Sequence, residues 1–429
     1  MELEAAVGVA GYYPAMWVRI AVFACGVALT ACGADTRDVL TFSGSAVGRE
    51  ADILRTQLLR FSTERGIDVE VRATPDSADQ RHQLYVQWLN ARAADPDVLQ
   101  LDVVWTPEFA AAGWLLPLDR FSPRTGEFFP AAIEANRWNG TLFGLPWFID
   151  VGMLYWRTDL FERPPATFDE LTAMTRTAMT QPGVRYGIVW QGARYEGLLT
   201  VFLEHLGGFG GRILDGAGTV VVDSDAGVRA LTWMRDAIHG DEIVPGAVLG
   251  WHEEETRFAF QNGSAAMMRN WPYAFALLQE AGSPVAGRVA VAPMPAAPGG
   301  QPTGALGGSQ LAINARTAQP DAAWALVAYL TAAEQMLERA RVVGQFPSRP
   351  ALYDEEGGLE GALGIDTAAA RSVVAAARPR PVTPVYTQLS EILQIRLHRA
   401  LTRQQEPRAA LEDAAREMRA LLARTGLSP

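Results

Sequence analysis

The apolar positions of the chain fall into alternating short runs and helical stripes. Residues 39–42 form an apolar run that predicts a strand. Across residues 50–64, Leu54, Leu58 and Phe61 recur at helical spacing, and Gly66 is placed to end that helix. Ile67, Val69 and Val71 then alternate as a half-buried strand. Residues 78–94 read as a helix with Leu84, Trp88 and Leu89 on its apolar side, residues 98–104 as the next strand, and Pro107 as the opening of a short helix. Strands alternating with helices predict an α/β fold with a parallel sheet covered on both faces, whose ligands bind beyond the carboxyl ends of the strands. Glu50, in a turn just after the first strand, and Asp102, in the strand running on to Trp105, both lie near that edge.

The middle of the chain is mainly helical, with residues 168–179 and 197–206 as the clearest stretches. A strand over 310–314 precedes a helix over 321–332. Residues 407–423 form a charged amphipathic helix whose apolar side carries Leu411, Ala415, Met418 and Leu422, a pattern that suits packing on the outside of a core. The glycine cluster at 207–211 matches neither the P-loop nor the dinucleotide pattern and reads as a loop after a helix.

Length and composition narrow the class. At 429 residues the chain suits two compact units, and its net charge of −11 argues against a nucleic-acid partner. Its 2 cysteines, Cys25 and Cys32, both lie near the N-terminus, so the body has neither a disulfide framework nor a cysteine metal site. Residues 19–32 (RIAVFACGVALTAC) have the layout of a signal peptide: a positive charge, an apolar run too short to span a bilayer, and small residues before a cysteine. Leu29-Thr30-Ala31-Cys32 resembles a lipobox, which would make Cys32 the lipidated residue after cleavage and residues 33–38 a tether. A plain signal peptide is the alternative. Glu2 and Glu4 are atypical of such a segment, and Met16 is a second possible translation start.

Catalytic signatures are missing from the sequence. There is no H-E-x-x-H, no G-x-S-x-G and no metal-ligand spacing, and no cofactor or metal is expected. His252 before three glutamates reads as a solvated helix start. Carboxylates are plentiful, so a lipid-anchored glycoside hydrolase is the rival reading on residue types; it needs two of them about 5–5.5 Å or about 6.5–9.5 Å apart across the scissile bond.

Eight stretches, in order, carry a resemblance: DQRHQL (79–84), DPDVLQLDVVW (95–105), AAGWLLPLD (111–119), GLPWFIDVGMLYWRTDLF (144–161), WQGARYEGL (190–198), FQNGSAAMMRNWPYAF (260–275), GALGGSQLAI (304–313) and RPRPVTPVYTQLSEILQ (378–394). Together they resemble the extracellular solute-binding proteins of ABC sugar importers, in the trehalose/maltose-binding branch. The resemblance implies a periplasmic-binding-protein-like fold of maltose-binding-protein type, with two α/β lobes joined by a multi-strand hinge. Its boundaries are expected at 39–147 with 294–333 for one lobe and 148–293 with 334–429 for the other, the crossings falling near Pro146, near Met294 and after Thr331. It also implies a non-enzymatic, monomeric, extracytoplasmic protein. Such a protein passes a disaccharide to permease subunits and touches the membrane only through its lipid.

Sugar hydroxyls are well bound by carboxylates and by the fixed fork of arginine, and ring faces stack on aromatics. Matched motif to motif, the resemblance puts Asp102, Asp150 and Arg380 at sugar contacts, with Glu50, Arg81 and Glu253 as further candidates. Trp271 and Tyr273 are implied as the stacking surface, and Gly308 as a point where backbone approaches the ligand. Two positions depart from the branch: Phe148, itself expected at the ligand site, stands where related members have tyrosine, and Ser309 where they have tryptophan. A sugar is therefore a firmer expectation than trehalose itself.

Overall fold

The computed structural model describes residues 39–44, 49–75, 78–354 and 358–427. Cys32 and the targeting segment lie outside the described residues. The early apolar runs become the strands Val39–Gly44, Asp68–Ala73 and Val98–Asp102, with Val39–Gly44 in the middle and parallel to both neighbours. The intervening helices are Arg49–Arg65 and Ala78–Asn90. In the second helix the buried residues Arg81, Tyr85 and Leu89 recur every four positions, while Leu84 and Trp88 are only half-buried. The expected apolar side is thus displaced by one position. Tyr85 draws the helix inward: its hydroxyl donates to the carbonyl of Ser43 at 2.9 Å, and its ring packs with Trp105 and Phe109.

The sheet is not wholly parallel, as strand–helix alternation alone would suggest. Gly304–Ile313 joins Val98–Asp102 antiparallel, Gly144–Val151 joins that strand antiparallel, and Phe346–Pro347 closes the edge. These strands return from later in the chain without the helical crossover that parallel pairing requires. Gly304–Ile313 is also twice the length expected from its pattern. Its first half, GALGG, has no β-branched residue, but pairing of Leu306–Gly308 with Gly144–Val151 and of Gly304 and Ala305 with Ala377 and Arg378 holds it extended.

A second, four-stranded sheet runs Val289–Ala292, Met153–Arg157, Ala265–Asn270, Tyr186–Val189. Helices Glu196–Gly208, Asp225–His239, Tyr386–Leu401 and Pro407–Arg424 contribute to its core, where Leu198, Phe202, Leu231, Leu393, Leu411, Met418 and Leu422 are buried together. The helix expected over 321–332 ends early, and a second one follows: Pro320–Leu330, then Ala333–Val343. The latter packs on Arg49–Arg65, where Arg60 pairs with Glu338 at 2.9 Å. After Met294 the chain next contributes to the second core at Val385.

The two sheets are connected around one buried ion pair. Gly152 alone separates Gly144–Val151 of the first sheet from Met153–Arg157 of the second. Beside it, Arg269 donates from Nε to Glu204 at 2.8 Å, and both side chains are 0% exposed. A methyl group on Gly152 would stand 1.7 Å from Glu204 Oε1 and 2.2 Å from Arg269 Nη2. The amide of Ala305, on the returning strand, donates to Glu204 at 3.3 Å, the amide of Gly152 to the Ala305 carbonyl at 3.2 Å, and that of Gly304 to Ala376 at 3.0 Å. Three passages of the chain thus converge on this pair.

Gly152→Ala is expected to displace the pair and lower stability by about 3–5 kcal/mol, the usual cost of breaking a buried ion pair. Gly126→Ala, where an added methyl meets nothing within 4 Å, is the control and should leave the denaturation midpoint unchanged. Equal midpoints for the two variants would refute the requirement.

Candidate functional site

Asp102 is the last residue of Val98–Asp102 and stands opposite Ser309 in the neighbouring strand. Asp150 lies near the end of Gly144–Val151, opposite Gly307. Trp271 follows directly on Ala265–Asn270, where the amide of Asn270 reaches the Glu253 carbonyl at 3.2 Å and its oxygen takes the Trp271 amide at 2.8 Å. Strand ends from both sheets thus meet at one cavity of about 420 Å³, lined by Asp102, Asp150, Glu253, Trp271, Tyr273, Gly308 and Arg380, and also by Tyr195, Glu196, Gly197, Thr200 and Gly307.

Arg380 is central to it. Its guanidinium donates to Asp102 Oδ1 at 2.9 Å, to Glu196 Oε1 at 2.9 Å and, through Nε, to the Leu306 carbonyl at 3.3 Å. Asp102 belongs to the first sheet and Glu196 opens a helix of the second core, so Arg380 links the two. Burial by itself lowers its pKa, but attraction to Asp102, Tyr386 and Glu196 more than offsets this and keeps the group charged. Glu196 is saturated on its other side by Tyr386 and Ser390.

The acidic groups do not share one electrostatic state. Burial first, and the nearby charges of Glu50 and Asp102 next, push Asp150 up to about 7, against the opposing pull of Arg269 and Arg380. Glu50 is also raised by burial, with Arg339 and Arg81 opposing. Hydroxyl groups of a polyhydroxylated ligand can donate to such carboxylates without adding charge.

The aromatic surface is braced from behind. The Arg269 guanidinium lies 4.0 Å from the Trp271 ring centroid, and Trp271 Nε1 donates to Glu253 at 3.4 Å. Tyr273 donates to Glu254 at 2.7 Å. The Tyr195 ring folds over Gly197, where a methyl group would sit 2.2 Å from the ring, and rests on His252 with centroids 4.4 Å apart. Gly308 has φ +103°, and a Cβ there would lie 2.3 Å from the Phe148 carbonyl oxygen, so the neighbouring strand itself demands glycine.

Three of the residues expected at the site from the sequence stand outside the cavity wall. Glu50 lies in the first turn of Arg49–Arg65, takes a hydrogen bond from Gln345 at 3.4 Å and acts on Asp150 electrostatically. Arg81 is 6% exposed and reaches over the Trp105 ring at 5.4 Å. Phe148 packs beside Trp147, with centroids 5.7 Å apart. Conversely, Tyr195, Glu196 and Arg269 were not singled out from the sequence. Arg269 sits in the strand AAMMRN, as exposed to the buried-charge argument as Asp102 in its own apolar strand. Glu196 gives no such signal, since an acid opening a helix is ordinary.

The histidines have structural surroundings. Burial lowers the pKa of His205 to about 4, where its ring stacks on Phe168; His252 caps the helix Glu253–Gln261 in a reciprocal arrangement with Glu255. Among the described residues no group of three or more His, Cys, Asp and Glu is placed to hold a metal ion.

Comparison with known proteins places this geometry. The family model described as bacterial extracellular solute-binding protein matches residues 54–337. A probable ABC transporter-binding protein of Deinococcus radiodurans is 36% identical over 407 residues, 91% of this chain and 96% of that relative. Among solved structures, maltose-bound T. maritima MalE3 is 41% identical with a TM-score of 0.82, covering 90% of this chain and 100% of that one. A solute-binding protein of an ABC transporter from Thermotoga lettingae, bound with alpha-D-tagatose, is 26% identical with a TM-score of 0.76, covering 89% and 98%. The chain therefore belongs to the bacterial extracellular solute-binding proteins, with the fold of the maltose-binding type.

Proposed function

We propose that this protein captures a small saccharide, a disaccharide of the trehalose or maltose kind, and hands it to the membrane subunits of an ABC importer without chemical change. The observation that carries this reading is the single cavity uniting Asp102, Asp150, Glu253 and Arg380 with the Trp271 and Tyr273 rings. Carboxylates and a fixed guanidinium suit hydroxyl groups, and indole suits a pyranose face. The maltose and the alpha-D-tagatose held by the two solved relatives support the same ligand class. We place the crossings between lobes at Gly152, within 293–303 and within 379–384, since the strands change sheet at the first two and the chain enters the second core after the third. Closure about these crossings would bring Glu253 and Trp271 onto a sugar resting against Asp102. The protein acts as a monomer outside the cytoplasm, tethered by a lipid on Cys32.

A thermal-denaturation panel with trehalose, maltose, sucrose, palatinose, glucose and glycerol phosphodiesters tests the ligand class. At about 1,000 times Kd a specific ligand adds roughly 4 kcal/mol. A rise with at least one disaccharide is expected, and a flat panel would overturn the sugar reading. Asp102→Ala and Asp150→Ala should each weaken binding of the sugar identified by ~10-fold or more by calorimetry, with far-UV circular dichroism unchanged, because charge-assisted hydrogen bonds contribute about 1.5–3 kcal/mol each. Wild-type affinity in both variants would remove these residues from the site.

Asp150 also sets a pH dependence. Its folded value of about 7 lies above its unfolded value, so it binds a proton on folding, and the stability it contributes is lost as pH rises toward 7. From about pH 5 to about pH 8 the melting temperature of the unliganded protein should fall by more than that of Asp150→Asn. Sugar affinity should rise over the same interval, since donor hydroxyls prefer the ionised carboxylate. Parallel pH profiles for the protein and the variant would refute the assignment. Finally, Cys32→Ser should move the protein from the membrane to the soluble fraction and abolish fatty-acid labelling; persistence of either would rule out the anchor.

A further inference from the structure

We infer that the protein carries a second ligand site, distinct from the sugar cavity, at two of the crossings placed above. It takes a carboxylate with an apolar body and tightens sugar binding when filled. The site stands apart from the saccharide reading; only its coupling to the sugar rests on that reading. A cavity of about 670 Å³, larger than the first, opens there, within the roughly 300–1,000 Å³ of small-molecule sites. Three passages wall it: the end of helix Glu196–Gly208 with the loop that follows, residues 299–303 of one crossing, and residues 378–382 at the other. The glycine cluster at 207–211 now has a structural reason. A methyl group on Gly207 would lie 2.5 Å from Thr303 Cγ2, and one on Gly300 would lie 1.9 Å from the Gly208 carbonyl oxygen, so loop and crossing pack backbone against backbone. The Ala297 amide closes that contact by donating to Gly208 at 2.9 Å. Gly210, Gly216, Gly218 and Gly299 line the cavity as well, and a methyl on any of them would meet nothing within 4 Å.

The lining combines aliphatic surface with cationic groups. Leu203, Leu206, Ile213 and Leu214 supply the aliphatic part, and Val382, 42% exposed, adds to it from the crossing. Arg212 and Arg378 are the exposed cations. Arg378 is oriented, since its Nη1 donates to the carbonyls of Ala375 at 3.1 Å and Ala377 at 2.9 Å. Asp215 also borders the cavity, but its Oδ1 already takes the amides of Ala217 at 2.9 Å and Thr219 at 2.8 Å. An oriented guanidinium beside aliphatic surface matches a carboxylate carried on an apolar body: the fork takes the two oxygens while the body leaves water. A sugar, neutral and hydroxylated all round, uses neither feature.

Two elements connect this cavity to the sugar site. Arg380 belongs to both linings: its guanidinium holds Asp102 and Glu196, while its chain neighbours Pro379 and Pro381 border the second cavity. Helix Glu196–Gly208 makes the same connection along its length, with Glu196 and Thr200 at the sugar cavity and Leu206 and Gly207 at the other. A body filling the second cavity stiffens the passage that presents Arg380. Ordering accomplished by one ligand is not repeated for the other, so each tightens its partner.

Calorimetry on the purified protein with benzoate, indole-3-acetate and hexanoate tests the site. Inorganic phosphate, which lacks the apolar body, and benzyl alcohol, which lacks the charge, are the controls. At least one carboxylate should bind ~10-fold or more tightly than either control. Arg212→Ala and Arg378→Ala should each weaken that carboxylate ~5-fold or more, with the melting temperature and the sugar affinity measured without carboxylate unchanged. Saturating carboxylate should tighten the sugar identified ~5-fold or more, and saturating sugar should tighten the carboxylate by the same factor. Absence of carboxylate binding, binding that survives both substitutions, or phosphate binding equally well would overturn the site. A bound carboxylate with sugar affinity unchanged or lowered would overturn the coupling. If no sugar binds under any condition, the saccharide reading and the coupling fall together, while the carboxylate isotherms still decide the site.

Discussion

The arrangement depends on a charge pair that sees no solvent. Arg269 and Glu204 are taken wholly out of water, a state that is tolerable only when every remaining donor and acceptor is used. Gln191 takes Arg269 Nη1 at 2.9 Å, and the Ala305 amide serves Glu204 at 3.3 Å. The Trp271 face covers the guanidinium at 4.0 Å. The pair therefore ties together a strand of the second sheet, a helix of its core, the returning strand of the first sheet and the aromatic wall of the cavity. Glycine at 152 follows as a steric necessity, because any side chain there would occupy the position of the ion pair.

From this anchor the site is built outward in layers of decreasing burial. Arg269 braces Trp271 from behind; Arg380, almost equally buried, holds Asp102 and Glu196 from opposite sides. The carboxylates come last and remain partly accessible. Burial, ahead of the charges of Glu50 and Asp102, raises Asp150 to about 7 against the pull of Arg269 and Arg380.

Much of this was legible in the sequence where one side chain conflicts with its surroundings. Asp102 stands out as an acid in an apolar strand, whereas Asp150 and the NWPYA turn are placed by the family resemblance; the structure gathers them at one cavity. Arg269 conflicts with its strand in the same way and was passed over, although AAMMRN is as apolar a setting as Asp102 has. Glu196 could not be read, because nothing local distinguishes an acid that opens a helix from one that clamps an arginine 184 positions away. The mixed sheet was hidden for a related reason: GALGG carries no strand propensity of its own, and long-range pairing alone makes it a strand. The offset helix face arose because Tyr85, able to satisfy its hydroxyl on Ser43, is drawn further in than Leu84.

The fully buried pair and the partly exposed acids also differ in how they can change over evolutionary time. Glu204, Arg269 and Gly152 constrain one another so tightly that replacing any one alone leaves a charge or a clash inside the protein, so the three must drift together or not at all. Asp150 and Glu253 border open space and hold no buried cation in an ion pair, so each can be exchanged alone. A lineage can therefore change the lining of the cavity by single steps while the frame that positions it stays frozen.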